Sequence, residues 1–319
     1  MNPPAHANTA SADLLLVNPT AGAGLAAAVL LDLRQFAKQR AWKVDICITE
    51  NSDDLTAKAR QAAKTGRKRI LVLGGDGTFQ VLLNALVDYP ETVLGILPAG
   101  GGNDLAASLG LPQDPLQAPA LILKGEACPL DGARVRTSDG RVRLYAGGGG
   151  VGLDAEAARH ASGAYRNLRG RLRYLLALVR ALFGHRSIRV RIGMTASGSR
   201  NLDATAMLVA VLNTPSYGAG LFLAPDAKTD DGKLDLVVLD DLSVIEILAL
   251  LPALALRGEL KTKRVRRFSV EHVRIETETP RWFHGDGELL GMTPLEISVV
   301  PHAVSVLRPA RMLVNESVR

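Results

Sequence analysis

The chemistry-bearing residues of this chain sit in glycine-rich turns that follow apolar strands. Val72-Leu73-Gly74-Gly75-Asp76-Gly77-Thr78 runs from a buried strand through a turn into a helix. Glycines let backbone amides approach phosphate oxygens, and the positive N-terminus of the helix favours the anion. The competing reading is a tight turn with Asp76 as a helix cap. Two similar turns follow other strands, Asn18-Pro19-Thr20-Ala21-Gly22-Ala23-Gly24 and Leu97-Pro98-Ala99-Gly100-Gly101-Gly102-Asn103-Asp104. Three such loops after three parallel strands can converge on one sheet edge, which predicts a nucleotide cleft. Asp76 and Asp104 would then orient a metal or an acceptor rather than hold phosphate, because carboxylates repel it.

Two acidic segments stand out in the second half. The run Ala224 to Asp235, with Asp226, Asp230, Asp231 and Gly232, suits an oxygen-ligand cation site or a solvated turn, and spacing alone favours the turn. In His284-Gly285-Asp286-Gly287-Glu288 two carboxylates two residues apart could take a hydroxyl proton, or simply close a hairpin. Gly22-Ala23-Gly24-Leu25-Ala26-Ala27 matches a loose dinucleotide fingerprint, yet its acidic partner would be Asp45, inside a strand and not at its end. Walker, H-E-x-x-H and G-x-S-x-G patterns are absent, and the six histidines show no ligand spacing.

The elements that must position these residues alternate at first. Strands are expected at Leu14–Val17, Lys43–Thr49, Arg69–Leu73 and Val93–Leu97. Helices fall between them, through Leu30–Phe36, from a Ser52 or Asp53 cap to Lys64, and from Thr78 to Val87. That alternation means a parallel sheet wrapped by helices. After about Pro129 the chain reads as strands joined by Gly and Asp turns: Val142–Ala146, Ile188–Met194, Ala206–Leu212, Leu234–Leu239, Phe268–Glu276 and Leu295–Val300. Helical patterns at Leu168–Phe183 and Val244–Leu256 interrupt them. The expected organisation is a flexible tail over 1–12, a nucleotide-binding α/β domain over 13–129, completed by 308–319, and a mostly antiparallel β-sandwich domain over 130–307. A last strand, Ala303–Leu307, would return toward the first domain.

Composition narrows the function classes. With 319 residues, 47% hydrophobic and 22% charged, the chain supports about two packed domains and no bulk disorder. Aromatics at 4% argue against base-stacking nucleic-acid platforms, while a net charge of +6 favours an anionic partner. Cys47 and Cys128 form no C-x-x-C pair, so a reducing, cytoplasmic setting is expected. The longest apolar stretch, Ile245–Leu256, is too short and too interrupted to span a membrane.

In their order, N-P-x-x-G at Asn18, Gly74 to Thr78, L-P-x-G-x-x-N-D at Leu97, A-P-x-A-x-x-D-D-G at Ala224 and Asp286-Gly287-Glu288 resemble the diacylglycerol kinase catalytic domain family. Within it the resemblance is to bacterial soluble lipid kinases related to sphingosine kinases. It implies a phosphofructokinase-like nucleotide domain, a β-sandwich domain, and ATP-dependent phosphorylation of a lipid hydroxyl with Mg2+. By the same resemblance Asn18, Pro19, Thr20, Ala21 and Gly22 fall on a first nucleotide loop and Thr49 on the threonine ending strand two. Gly74, Gly75, Asp76, Gly77 and Thr78 fall on the phosphate loop, joined by Gly100, Gly101, Asn103 and Asp104. Asp286 and Glu288 fall on the catalytic acids, one of them the base, and Asp231 on the ligand of a structural magnesium with the carbonyls of Lys228 and Lys233. Gly101 stands where the family usually has Thr, and Ala107 where a basic residue is usual. The alternatives are phosphorylation of a soluble acceptor, as in NAD kinases, a dinucleotide-dependent oxidoreductase, and a non-catalytic lipid binder.

The expected partner is a lipid substrate at the membrane surface, with no nucleic acid; a homodimer is compatible with the sequence. Between Glu156 and Asp203 there is no acidic residue, whereas nine arginines run from Arg159 to Arg191. That stretch has the composition of a peripheral membrane segment, with Arg166, Arg169 and Arg173 as its expected contacts, although Leu175, Leu176, Leu178, Val179 and Leu182 also make a core-facing stripe.

Overall fold

The structure, a computed structural model, describes residues 12–165, 170–184, 187–195, 198–218, 220–243, 245–247, 249, 256 and 263–310. The expected tail, all but residue 12, and residues 311–319 lie outside the described residues.

The first half contains β1 (Asp13–Val17), α1 (Ala21–Ala28), α2 (Leu30–Gln39), β2 (Val44–Ile48), α3 (Ser52–Lys64), β3 (Arg69–Gly74), α4 (Asp76–Leu86) and β4 (Val93–Pro98). Its strands pair in parallel in the order β2-β1-β3-β4. A parallel sheet covered by helices on both faces wants continuous apolar strands. Ile70, Leu71, Val72 and Leu73 accordingly have no exposure, each burial worth about 1.5–3 kcal/mol. The cap of α3 is Asn51, not Ser52 or Asp53. Asn51 Oδ1 accepts the Asp54 amide at 2.9 Å while the Asp54 carboxylate accepts the Glu50 amide at 2.9 Å, a reciprocal arrangement that closes the helix start. Two short helices, α5 (Asp104–Ser108) and α6 (Ala118–Ile122), follow β4.

The second half is β-rich and antiparallel: β5 (Glu126–Thr137), β6 (Val142–Tyr145), β7 (Gly148–Gly152), β8 (Ile188–Thr195), β9 (Ser199–Leu212), β10 (Leu234–Asp240), β11 (Val265–Val270), β12 (His272–Thr277), β13 (Trp282–Gly285), β14 (Glu288–Met292) and β15 (Leu295–Arg308). Helices α7 (Leu153–Ser162) and α8 (Gly170–Gly184) lie between β7 and β8. Of the helix expected over Val244–Leu256, residues 245–247 are helical and most of the remainder lies outside the described residues.

Two expectations for strands change. Phe268–Glu276 is two strands: β11 pairs with β10, while β12 pairs with β8 and β15. The inward-facing positions shift from even to odd between Val270 and Val273, and a strand cannot change phase without a break. Conversely, Leu295–Val300 and Ala303–Leu307 form the single strand β15, with a register shift between Val300 and Val304. Past that shift Ser305 and Val306 pair in parallel with Val93 and Leu94 of β4, so the return to the first half is made by this strand.

Candidate active site

Register puts the loops together. Val17 is level with Ile48 and Leu73, and Gly74 with Pro98, so the loops after β1, β2, β3 and β4 leave the sheet at one edge. Asn18 Nδ2 donates to Thr78 Oγ1 at 3.1 Å, tying the first loop to the third, and Thr20 turns its hydroxyl and amide onto Asn18 Oδ1. Gly75 and Gly100 touch backbone to backbone: a Cβ on Gly75 would lie 2.9 Å from Gly100 Cα, and one on Gly100 2.5 Å from Gly75 Cα. Any side chain at either position would drive the two loops apart.

These loops line one side of a cavity of about 1600 Å³. Asn18, Thr20, Ala21, Gly22, Thr49, Gly75, Asp76, Gly77, Thr78, Gly100, Gly101 and Asp104 border it. Pro19, Gly74 and Asn103 are absent from its wall. Asn103 is buried with φ +57°; its Oδ1 accepts the Gly100 amide at 2.9 Å and its Nδ2 donates to Gly100 O, so it shapes the glycine loop from behind. Thr49 likewise turns its hydroxyl back onto Val17 O at 3.0 Å. Helix α4 begins at this wall with no side-chain cap, leaving first-turn amides for an anion.

Asp76 does not cap its own helix. Its two carboxylate oxygens accept the amides of Asp104 and Leu105, both at 3.2 Å, and so close the start of α5. Burial first, then the charges of Asp104 and Asp286, raise its pKa to about 7. Asp104 in turn accepts Ser216 Oγ at 2.8 Å.

The opposite wall carries the acids of the β13–β14 hairpin. Asp286 and Gly287, with φ +47° and +92°, are the two turn residues between paired Gly285 and Glu288, the geometry that an Asp-Gly pair favours. The structure separates the two carboxylates that the sequence left equivalent. Asp286 is buried, its Oδ2 accepting the Ala146 amide at 2.7 Å and its Oδ1 those of Gly147 and Gly148 at 2.9 and 3.1 Å. Burial nonetheless raises it to about 6, against the lowering by those amides. Among the described residues Glu288 accepts no such hydrogen bond; its Oε1 stands 3.4 Å from where a Cβ of Gly77 would lie, facing the first turn of α4. Glu288 is exposed on the cavity side, and partial desolvation there pushes its pKa above the ordinary 4.5.

Several residues of the site escaped sequence reasoning. Tyr217 donates its hydroxyl to Asp154 Oδ2 at 2.6 Å and lies 2.9 Å from His284 Nδ1, while the other oxygen of Asp154 is buried without a partner beside the cavity. The signal was an acid two residues past the glycine-rich run Gly147–Gly152. Gln80 Nε2 donates to Gly285 O at 3.2 Å, holding the hairpin against α4. Beyond these groups the cavity continues as an apolar arm lined by Leu153, Ala157, Leu178, Leu208, Leu223 and Ile247.

Lys228, Asp231 and Lys233 are not part of this cavity. Their loop is pinned by Asp131, fully buried, whose Oδ2 accepts the Gly232 amide and whose Oδ1 accepts that of His302, each at 2.7 Å. Asp231 Oδ1 accepts the Lys233 amide at 3.1 Å. Among the described residues no set of three His, Cys, Asp or Glu side chains is arranged to hold a metal by itself. Asp45, the acid required by the dinucleotide reading, is paired with Arg67 at 2.7 Å and is not in the cavity wall. Of the expected membrane contacts, Arg166 and Arg169 lie outside the described residues, as does the Arg173 side chain.

Comparison with known proteins agrees with this arrangement. Residues 13–135 match the diacylglycerol kinase catalytic domain, and residues 149–308 match the YegS C-terminal NAD kinase beta sandwich-like domain. A diacylglycerol kinase of Mycobacterium tuberculosis is 30% identical over 297 residues, covering 92% of this chain and 94% of the relative. One of Bacillus subtilis is 28% identical over 298 residues, covering 92% and 95%. A crystal structure from Bacillus anthracis superposes with a TM-score of 0.74 at 26% identity, covering 93% of this chain and 97% of its own.

Proposed function

From the membership of this chain in the diacylglycerol kinase catalytic domain family, which makes it a lipid kinase, we propose that it transfers the γ-phosphate of ATP to a hydroxyl of a diacylglycerol-like or sphingoid lipid. The observation that carries this reading is the position of Glu288. Its carboxylate faces the uncapped first turn of α4 on one side, and the cavity it borders runs on into the apolar arm. A phosphate held at the loops and a hydroxyl on an apolar body entering by the arm would meet there. A soluble acceptor has no use for that arm, which disfavours the NAD kinase-like alternative.

In the proposed reaction the amides of Gly75 to Thr78 hold the phosphates. Glu288 takes the proton as the lipid oxygen bonds to the γ-phosphorus; the bond from that phosphorus to the bridging oxygen breaks, and ADP leaves. Asp286 keeps the hairpin in place through its three backbone amides instead of acting as the base. Asp76 braces the glycine loops through α5.

Two arginines, Arg60 and Arg143, border the cavity; Arg60 Nε donates to Ala85 O and one Arg143 guanidinium N–H to Val142 O, and each keeps its charge and further donors for phosphate. Asp76 and Asp286, elevated by burial, fit a divalent cation shared with nucleotide phosphates, since Mg2+ takes one or two carboxylates and completes its shell with phosphate and water. Such an ion would neutralise the charge that develops on the transferring group. The loop of Asp231 fits a second, structural cation: Asp235 is pushed to about 6 by burial and then by Asp231 and Asp226.

The test is incubation with γ-labelled ATP and a panel of lipids. Label in the organic phase supports the reading; label only in a soluble product, or none, overturns it. The lipid that accepts label also identifies the acceptor.

A further inference from the structure

Where the apolar arm meets the hairpin, three polar side chains from three elements close on one another. Asp154 stands in the first turn of α7, Tyr217 on the loop after β9 and His284 on β13, and all three border the cavity. Tyr217 and His284 are each 8% exposed, and the Asp154 side chain 9%. A glycine makes the room, since a Cβ at Gly150 would lie 2.3 Å from Asp154 Oδ2.

Counting hydrogens fixes the roles. Tyr217 has one hydroxyl hydrogen and gives it to Asp154 Oδ2 at 2.6 Å, so its oxygen can only accept from His284 Nδ1, 2.9 Å away. The hydrogen of neutral His284 therefore sits on Nδ1. Nε2, on the far side of a ring that borders the cavity, is a bare acceptor with no partner among the described residues. Asp154 Oδ1 is buried and equally unpartnered. The other hydroxyls of the Tyr217 loop are already committed: Thr214 donates to Ser216 O at 3.0 Å, and Ser216 to Asp104 Oδ1 at 2.8 Å. The cluster is short of hydrogens, and each buried acceptor left unsatisfied costs about 1–3 kcal/mol.

That shortage discriminates between lipids. In a 1,2-diacylglycerol the carbon beside the hydroxymethyl group carries an ester, whose oxygens only accept. A lipid with an O–H or N–H on that carbon, a vicinal diol or amino alcohol, brings the missing hydrogen. We propose that His284, held through Tyr217 on Asp154, is a specificity-determining residue whose Nε2 accepts from a second donor on the carbon next to the reacting hydroxyl, so that this chain prefers such a donor-bearing lipid to a 1,2-diacylglycerol. The inference rests on the lipid-kinase reading. The ring is placed for it: desolvation raises Glu288 and a charge on His284 lowers it, so the ring and the hairpin acid stand within reach of each other.

The experiment uses matched short-chain acceptors. One pair is a 1-monoacylglycerol and the propane-1,3-diol monoester that lacks only its second hydroxyl; the other is a 2-amino-1-alkanol and the plain 1-alkanol. Each pair is read twice, by calorimetric binding without nucleotide and by label transfer from γ-labelled ATP. In wild type the donor-bearing member of at least one pair should win by about tenfold or more, and should outrank a short-chain 1,2-diacylglycerol. A gain in the diol pair alone assigns the donor to a hydroxyl, in the amine pair alone to an ammonium. His284→Phe keeps a ring and removes the acceptor, so the ratio within the pair should fall to near one. A merely structural role would weaken both members together and leave the ratio. Tyr217→Phe frees Nδ1 and should lower the ratio too, which decides the matter if His284→Phe does not fold. If no lipid takes label, the kinase reading fails while the binding ratios still test the contact. The proposal is overturned if both wild-type binding ratios are near one, or if 1,2-diacylglycerol binds better than either donor-bearing lipid. It is also overturned if folded His284→Phe, or Tyr217→Phe in its place, keeps the wild-type ratio.

Discussion

Asn84 of α4 clasps the backbone of Leu144 from both sides: its Nδ2 donates to the Leu144 carbonyl at 2.8 Å, and its Oδ1 accepts the Leu144 amide at 2.9 Å. One helix therefore presents its N-terminus to the nucleotide side and, through Gln80 and Asn84, fastens the hairpin of Glu288 and strand β6 to the same frame. Asn84→Ala leaves two backbone groups unpaired and should cost about 1–3 kcal/mol. Chemical denaturation checks it; a loss under about 0.5 kcal/mol, the range of neutral surface changes, would show that the clasp is incidental.

The two hairpin acids should fail differently. Glu288→Gln removes the proton acceptor and should lower kcat by about 10² to 10⁴ with ATP affinity and melting temperature kept. Asp286→Asn replaces one accepting oxygen by a donor that faces backbone amides, so its first effect should be a loss of about 1–3 kcal/mol in stability. Near-normal turnover in Glu288→Gln with loss only in Asp286→Asn would reverse the roles. Because partial desolvation at the cavity wall raises Glu288, kcat/KM should rise with pH through a value above 4.5.

Much of this was legible in the chain itself. Buried strands such as Ile70–Leu73 are unbroken apolar runs, and Asp286-Gly287 announces a tight turn, so the parallel sheet, its loop edge and the hairpin could be read directly. What stayed hidden depends on tertiary contact. Strand β7 is Gly-Gly-Gly-Val-Gly, poor by propensity, and forms by pairing between β9 and β13, with glycine needed at 149 because a Cβ there would meet His284 O and the Phe283 ring, each at 2.6 Å. The side chain of Asn103 is turned onto the backbone of Gly100, an orientation that residue type does not encode. Asp154 and Tyr217 are 63 residues apart, and nothing local announces that they meet.

At Gly75 the close approach to Gly100 makes any side chain costly to both loops. Gly75→Val should therefore weaken ATP binding by more than about tenfold and also lower the melting temperature, since overpacking costs about 1–3 kcal/mol. Calorimetric titration with ATP checks it; unchanged affinity in a folded variant would remove the loop from the phosphate site.

Stability should depend on pH through Asp76. Its folded pKa of about 7 lies above the ordinary 3.8, so the folded chain keeps a proton that the unfolded chain has released. That contribution is full below about pH 4 and lost as pH rises through about 7. Asp286, raised to about 6, acts with the same sign. Without metal or nucleotide, melting temperature should fall from about pH 5 to about pH 8, and less steeply in Asp76→Asn. Equal slopes would contradict the assignment.

Without nucleotide, magnesium should stabilise the chain through the loop of Asp231. Above about pH 6 the cation relieves the repulsion among Asp226, Asp231 and Asp235, so added Mg2+ should raise the melting temperature of wild type but little that of Asp231→Ala. Elemental analysis of the variant gives the opposing outcome: stoichiometric magnesium retained there would reject the loop as a metal site.

In the proposed reaction phosphate moves from nucleotide to lipid across the gap between α4 and Glu288. Incubating the wild-type chain and Glu288→Gln with γ-labelled ATP, Mg2+ and a diacylglycerol dispersion, then extracting the lipid, tests it directly. Label in the organic phase for wild type, lowered at least about a hundredfold in Glu288→Gln at equal ATP binding, is the predicted result; equal label from both, or none from wild type with any lipid offered, would contradict it.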